Sequence, residues 1–211
     1  MPVDPDVVAD VSDLPEWELV FRFTSGRLCL SFCATVGERW RRNFERLRTT
    51  EDVSRWLMQA GLNPSAHAAV RPGLLLDARE LREAIYRLVR SAMSGQTGSE
   101  ADREVLNAWA RHAPVSPQLG ANQERELWTG PHPAAAGIAT VAVDAVDLLT
   151  SPAIHRVREC AAGDCALLFL DASRPGQRRW CADNACGSRA RSAAYRARQP
   201  RPERRQSSLP A

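Results

Sequence analysis

Four cysteines near the C-terminal end of the chain occur as two pairs with the same internal spacing. Four residues separate Cys160 from Cys165, four separate Cys181 from Cys186, and 15 residues lie between the two pairs. Each close pair can form a tight turn, and the intervening segment lets the chain travel out and return. Thiolates brought together in this way can hold one metal ion with tetrahedral geometry. Such an ion would fix four points of the backbone at one centre.

We predict that this ion is zinc, bound by all four cysteines as one structural ion. Zinc suits a thiolate-only site because it needs no particular ligand-field geometry and is not reduced in the cytoplasm. With every coordination position filled by sulfur, no open position is left for a substrate. On sequence alone, three alternatives stay open: four buried cysteines without metal, two disulfides, and an iron–sulfur cluster.

The metal would also supply the folding energy of this region. A segment of about 45 residues cannot bury enough apolar area to be stable alone. Leu167, Phe169 and Trp180 are the candidates for its small core. Gly163 and Gly187 are expected to give the two cysteine turns their backbone freedom.

Charge is divided unevenly along the chain, whose net charge is +3. Residues 1–150 contain 16 Arg and 20 acidic residues, a balance of −4, whereas residues 151–211 contain 12 Arg and 5 acidic residues, a balance of +7. There is no Lys, so every one of these cations except His is a guanidinium, which can grip phosphate with two hydrogen bonds. This segregation predicts an anionic partner for the C-terminal part.

The residues after Cys186 predict a helix rich in arginine. Arg189 and Arg196 are seven positions apart, as are Arg191 and Arg198, so each pair should share one helix face. The predicted nucleic-acid contacts are Arg174, Arg178, Arg179, Arg189, Arg191, Arg196 and Arg198. DNA is the expected polyanion, with arginines contacting phosphates and releasing counterions. The alternative is a solvated charged helix, or one that packs on the acidic body.

The rest of the chain shows the periodicity of amphipathic helices. Apolar stripes predict helices over residues 50–60, 75–93, 99–109 and 138–149. The run from Leu28 to Val36 predicts either a short strand pair that turns near residues 25–26 or the start of a buried helix. The polar, Pro-containing stretch 112–133 predicts an irregular connection.

The composition changes after Ser151, which predicts a domain boundary near residue 152. We predict a disordered acidic lead-in over residues 1–18 and a mainly α N-terminal domain with a small β element over residues 19–151. A small zinc-stabilised C-terminal β/α finger should follow over residues 152–199, and a disordered basic tail over residues 200–211.

The segment from Cys160 to Arg198 resembles the CGNR zinc finger. That family is named for four residues, which here are Cys-Gly-Ser-Arg at 186–189, with serine where the name has asparagine. Further similarity lies in Leu-Phe-Leu-Asp at 168–171, Ser-Arg at 173–174 and Arg-Trp-Cys at 179–181. The resemblance supports the same four cysteines as zinc ligands.

The body resembles the ABATE domain, which usually precedes that finger. The similar residues are Gly-Arg-Leu-Cys-Leu-Ser-Phe at 26–32 and Trp-Leu-x-x-Ala-Gly-Leu at 56–62. The family typically has Asp and Asn where this chain has Ser31 and Ala34. Proteins of this kind are regarded as stress-related transcription regulators of bacterial type. The resemblance therefore implies a DNA-binding regulator whose body senses an unknown small-molecule effector.

Other classes of function find less support. An alternative is a zinc-stabilised module that binds an acidic protein or RNA. The chain has no glycine-rich phosphate loop, nucleophile elbow or His-Glu-x-x-His motif, so we do not expect an enzyme. The acidic N-terminus and the shortness of the longest apolar run predict a cytoplasmic protein without membrane contact. Cys29 and Cys33 are expected to be core thiols rather than a redox switch.

Overall fold

The computed structural model of the protein describes residues 14–62 and 71–198. The predicted tail lies outside the described residues, as does the lead-in up to residue 13. Residues 14–18 of the lead-in are described. Glu16–Glu18 form a 3-10 turn, and the carboxylate of Glu18 is buried against Arg42.

Helices account for most of the regular structure in these residues. They are α1 (Leu28–Cys33), α2 (Thr50–Gln59), α3 (Leu74–Met93), α4 (Glu100–Ala110), α5 (Pro133–Thr150) and α6 (Ser188–Arg198). The four helices predicted from apolar stripes are thus confirmed as α2 to α5. The mainly α body followed by a small β/α finger is confirmed as the fold class.

Local sequence signals explain where two of these helices begin. At α2 the Thr49 hydroxyl accepts a hydrogen bond from the Asp52 amide, and the Asp52 carboxylate accepts one from the Thr49 amide, which is a capping box. Gly61, with φ of 72°, follows the end of α2. At α4 the Ser99 hydroxyl likewise accepts a hydrogen bond from the Asp102 amide, at 3.1 Å.

Strands occur as three antiparallel pairs. They are β1 (Val36–Gly37) with β2 (Phe44–Glu45), β3 (Ser116–Leu119) with β4 (Arg125–Trp128), and β5 (Val157–Glu159) with β6 (Leu168–Leu170). Of the two alternatives for the run that begins at Leu28, the buried helix is confirmed and the strand pair near residues 25–26 is wrong, because Leu28–Cys33 is helical and Cys29 to Cys33 are buried. The β3–β4 hairpin lies in a stretch predicted to be irregular. Its residues are mostly exposed on both faces, so they lack the alternation that marks a half-buried strand.

Helix α5 is the central element of the body and contacts α1 to α4. Its length and composition would allow it to cross a membrane, but half of it is buried within the protein. This is the placement of a core helix. Trp56 of α2 and Phe32 of α1 are fully buried beside it, with their rings 4.9 Å apart in an edge-to-face arrangement.

Strand β6 joins the finger to the body, because alternate side chains point to opposite faces of a strand. Leu168 is buried in the main core and Leu170 packs against that core. Leu167 and Phe169 lie instead in a second apolar cluster with the four finger cysteines. The backbone amide of Leu170 also donates to the Ser25 carbonyl at 2.8 Å.

A buried ion-pair network fixes β2 against α3. The Arg82 side chain is 4% exposed, and its two terminal nitrogens each donate to one Glu45 oxygen at 2.7 Å. Its Nε donates to Glu83 at 2.7 Å, and Glu83 also pairs with Arg39. This network fixes the segment between α1 and α2, which lies against the finger.

Candidate metal centre and nucleic-acid interface

The first cysteine pair lies on a turn that connects β5 to β6. The Cys160 amide donates to the Leu167 carbonyl at 2.9 Å, and the Cys165 amide donates to the Ala162 carbonyl at 3.1 Å. Ala166, with φ of 53°, adopts the left-handed conformation that reverses the chain after Cys165. The expectation that Gly163 supplies this freedom is wrong, because its φ is not positive.

The second pair approaches the first through backbone contacts. The Ala161 amide donates to the Arg179 carbonyl at 2.8 Å, which places Cys181 beside Cys160. Cys186 lies in a short π-helical turn, Asp183–Gly187, that leads directly into α6. The φ of Gly187 is not positive either. A Cβ at this position would lie 2.8 Å from the Asp183 carboxylate.

The four sulfur atoms converge on one point and are buried. All lie within 4.8 Å of one another, with 3.5 Å between Cys165 and Cys181 and 3.6 Å between Cys181 and Cys186. A tetrahedral zinc site with Zn–S bonds of about 2.3 Å places its sulfurs about 3.8 Å apart. All four cysteines are free, so no disulfide competes for them. The donor set and its spacing fit one zinc ion.

The sulfurs are close enough to titrate together. The hydrogen bond between Cys160 and Cys165 is the largest influence on both, and it lowers the pKa of Cys160 while raising the pKa of Cys165. Protons are therefore shared within the cluster. A divalent cation that replaces these protons can bind all four sulfurs at once, because metal ligation requires thiolates and releases protons.

The predicted core of the finger surrounds this centre. Leu167 and Phe169 are buried in the cysteine cluster and Trp180 packs against it, as the sequence predicts. The body contributes Ala34, which is 1% exposed in the same cluster. Ala34 is one of the positions where the chain departs from the residue typical of the ABATE domain, and here it forms part of the wall of the metal centre.

Arg189 lies against the metal centre at the start of α6. Its Nη2 lies 3.3 Å from the Cys186 sulfur and 3.4 Å from an oxygen of Asp164. A guanidinium next to a thiolate ligand offsets part of the negative charge that four thiolates bring to one divalent ion. About half of the Arg189 side chain stays exposed.

The remaining arginines predicted to contact nucleic acid differ in how many contacts they already make within the finger. Arg178 is partly buried, with its guanidinium over the Phe169 ring and bonded to the carbonyls of Trp180 and Cys181. Arg191 contacts Asp183 but is more than half exposed. Four arginines form no ion pair with a carboxylate anywhere in the described ranges: Arg174, Arg179, Arg196 and Arg198.

Helix α6 projects from the metal centre without packing on the body. None of its residues is buried, and every residue from 191 to 198 is exposed. Arg189 and Arg196 line one side of a groove of about 590 Å³, and the first cysteine turn, residues 161–164, lines the other. The two residues therefore share a face, as their spacing predicts.

Asp171 has a structural role that was not predicted from the sequence. It is fully buried, and its carboxylate accepts hydrogen bonds from the Ser173 amide and hydroxyl and from the Arg178 amide. These bonds shape the loop that returns the chain from β6 to Cys181. Its position directly after the apolar β6 run was the available signal.

Cys29 and Cys33 lie in the core of the body, as predicted. Both are buried, and burial is the main cause that raises the pKa of Cys29 well above its usual value and that of Cys33 to about 12. Neutral, enclosed thiols of this kind are poor nucleophiles.

Fold and site together define a helical protein with a C-terminal finger that binds metal through thiolates alone. A family model for ABATE, described as "putative stress-induced transcription regulator", matches residues 26–152, and a model for the CGNR zinc finger matches residues 156–199. The chain belongs to the ABATE family and carries a CGNR zinc finger. No curated protein sequence matches the chain.

The family and the geometry agree on the metal. Four buried cysteines in a CGNR zinc finger hold one structural zinc ion, with Cys160, Cys165, Cys181 and Cys186 as the available ligands. Both families are of regulatory or zinc-binding kinds and not enzyme families.

Proposed function

We propose that the protein is a cytoplasmic DNA-binding transcription regulator whose zinc finger presents α6 to the DNA backbone. The observation that carries this proposal is the exposure of α6 from residue 191 to residue 198, together with the absence of carboxylate partners for Arg196 and Arg198 within the described residues. Cations left unpaired on a projecting helix are suited to neutralising phosphates. The description of the ABATE family as a transcription regulator supports the same proposal.

The stability of α6 supports a role as a presented surface. An isolated helix of fewer than about 12 residues is marginal in water, and α6 has 11 residues and buries none. Its attachment is at its N-terminal end, where Cys186 and Arg189 lie at the metal centre. The ion thus anchors α6 at one end, since the helix does not pack on the body. The sides of α6 stay free for a partner.

The arginines of the finger have different roles in DNA binding: some contact phosphates and one supports a loop. Arg196 and Arg198 contact phosphates directly, and the groove between α6 and residues 161–164 admits the sugar–phosphate backbone, because its lining residues are small. Arg174 and Arg179 extend the positive surface on the loop before Cys181. Arg178 supports that loop through its bonds to backbone carbonyls.

Binding of mixed-sequence duplex DNA by the zinc-loaded full-length protein tests the proposal. With about 4–6 phosphates neutralised, a plot of log K against log salt concentration should have a slope of about −4 to −5. Fluorescence anisotropy of a labelled duplex between low and moderate salt measures this slope. No saturable binding at low salt would contradict the proposal. Preferential binding of single-stranded RNA, or a partner that resists nuclease treatment, would favour the RNA-binding or protein-binding alternative.

The double variant Arg196→Ala/Arg198→Ala should weaken DNA binding by about tenfold or more at low salt and reduce the steepness of the salt plot by about 2, because two phosphate contacts are lost. Both side chains are exposed, so the fold should be retained. Arg111→Ala is the matched control, since Arg111 is an exposed arginine at the end of α4 on the body. Equal affinity in both variants would exclude α6 as the contact surface.

A further inference from the structure

A cavity of about 160 Å³ lies where the body meets the finger. Its body wall comes from residues 18–22 and from the segment between β1 and β2 through Arg46. Its finger wall comes from residues 164–167 and from Arg189 at the start of α6. Neither unit encloses this space alone.

The charges that line the cavity do not balance. Five arginines line it, against three carboxylates and the sulfur of the zinc ligand Cys165; the arginines are Arg22, Arg41, Arg42, Arg46 and Arg189, and the carboxylates are Glu18, Glu38 and Asp164. The carboxylates already have partners: Arg42 bonds to Glu18 at 2.6 Å and to Glu38 at 2.7 Å. Asp164 is 3.4 Å from Arg189.

Arg22 and Arg46 are the two arginines of the lining that have no carboxylate partner among the described residues. Neither forms an ion pair with a carboxylate in the part of the chain that the structure describes. Arg46 is only 3% exposed, and its hydrogen bonds go to the carbonyls of Glu18 at 2.8 Å and Ala34 at 2.9 Å through Nε and Nη1. A buried guanidinium is costly unless an anion pairs with it, so this arrangement is unusual for a purely structural arginine.

The lowered pKa of Arg46 is consistent with a buried arginine that has no carboxylate partner in the described ranges. Burial is the largest influence and the neighbouring charge of Arg22 is the next, and together they lower the pKa of Arg46 to about 10. The two like charges line the same half-enclosed space. An anion placed between them would relieve both the repulsion and the desolvation of Arg46.

We propose that this cavity is a binding site for a phosphate group, held by Arg22 and Arg46. Phosphate suits the site because its oxygens can accept hydrogen bonds from guanidinium groups that approach from different directions. The volume is well below the roughly 300 Å³ typical of a drug-sized ligand, so the occupant is inorganic phosphate or the phosphate end of a small monoester. This binding does not depend on the proposed function.

Isothermal titration calorimetry of the zinc-loaded full-length protein tests the site. Sodium phosphate is titrated at neutral pH and constant ionic strength, with sodium chloride as the reference. Saturable binding of about one phosphate per chain is expected, and Arg22→Gln should weaken it by about tenfold or more because one charge-assisted contact is lost. Glycerol 3-phosphate is the second probe: equal or tighter binding identifies a monoester site, and binding of inorganic phosphate alone identifies an ion site.

Two further variants keep the result interpretable. Arg111→Gln, on the body surface, should bind phosphate as the unaltered protein does. Arg196→Gln/Arg198→Gln should also retain phosphate binding, whether or not the protein binds DNA. The proposal is overturned if phosphate has no effect beyond that of chloride. It is also overturned if Arg22→Gln binds normally, or if the α6 variant alone loses binding. Arg22 is only half-buried and has no carboxylate partner in the described residues, so Arg22→Gln is expected to fold. Zinc analysis and circular dichroism of the variant are the checks on its folding.

Discussion

Replacement of Cys181 by Ser should reduce the zinc content of the purified protein from about one ion per chain to near zero. Cys181 is 1% exposed, and its sulfur is within 3.6 Å of the sulfurs of both Cys165 and Cys186. A serine hydroxyl at this position cannot supply the thiolate that a structural zinc site requires. Since zinc contributes about 10–16 kcal/mol to folded finger peptides at neutral pH, losing it should unfold the finger.

The measurement is metal analysis of the desalted protein, combined with circular dichroism. Cys33→Ala is the matched control, because it removes another buried cysteine that lies in the body and away from the four sulfurs. This control should keep about one zinc ion, even if it is somewhat less stable. Full zinc retention by Cys181→Ser would mean that the ion is held elsewhere.

Replacement of Glu45 by Ala should destabilise the protein by about 3–5 kcal/mol, because removing one partner of a buried pair leaves the other without compensation. Arg82 is 4% exposed and bonds to Glu45 through both terminal nitrogens. Its remaining carboxylate contact, to Glu83 through Nε, leaves those two nitrogens without a charged acceptor. Urea unfolding followed by tryptophan fluorescence measures the change in the free energy of unfolding.

A double variant separates loss of the pair from loss of side-chain volume. Glu45→Leu/Arg82→Met replaces both charges by apolar groups of similar size, and its cost should be much smaller, because such exchanges are often close to neutral. If Glu45→Ala alone were neutral, the pair would have no net role in holding β2 on α3.

The parts predicted correctly from sequence depend on signals that repeat locally. The apolar stripes of α2 to α5 involve residues within one or two helical turns. The metal centre is similar, because two short pairs of cysteines with equal spacing imply convergence before any other contact is known. The run beginning at Leu28 was ambiguous because it is buried on all sides, and periodicity cannot separate a buried strand from a buried helix.

Features that depend on tertiary packing could not be predicted in this way. Arg178 and Arg196 look alike in sequence, yet one is bonded to backbone carbonyls inside the finger and the other is exposed. Likewise, nothing in the order of residues shows that Arg22, Arg46 and Asp164 line one cavity, because that requires the finger to dock on the body. The β3–β4 hairpin was missed since both of its faces meet solvent.

The alternation along β6 has a consequence for how the protein melts. Leu168 and Leu170 complete the apolar interior of the body, while Leu167 and Phe169 complete that of the finger, so one three-residue strand and its preceding leucine serve both. Chelating the ion should therefore weaken the helical part as well, and the two parts should denature in a single cooperative transition. A protein cut at residue 152 would expose the leucines of β6 to water, and the severed finger would be prone to self-association.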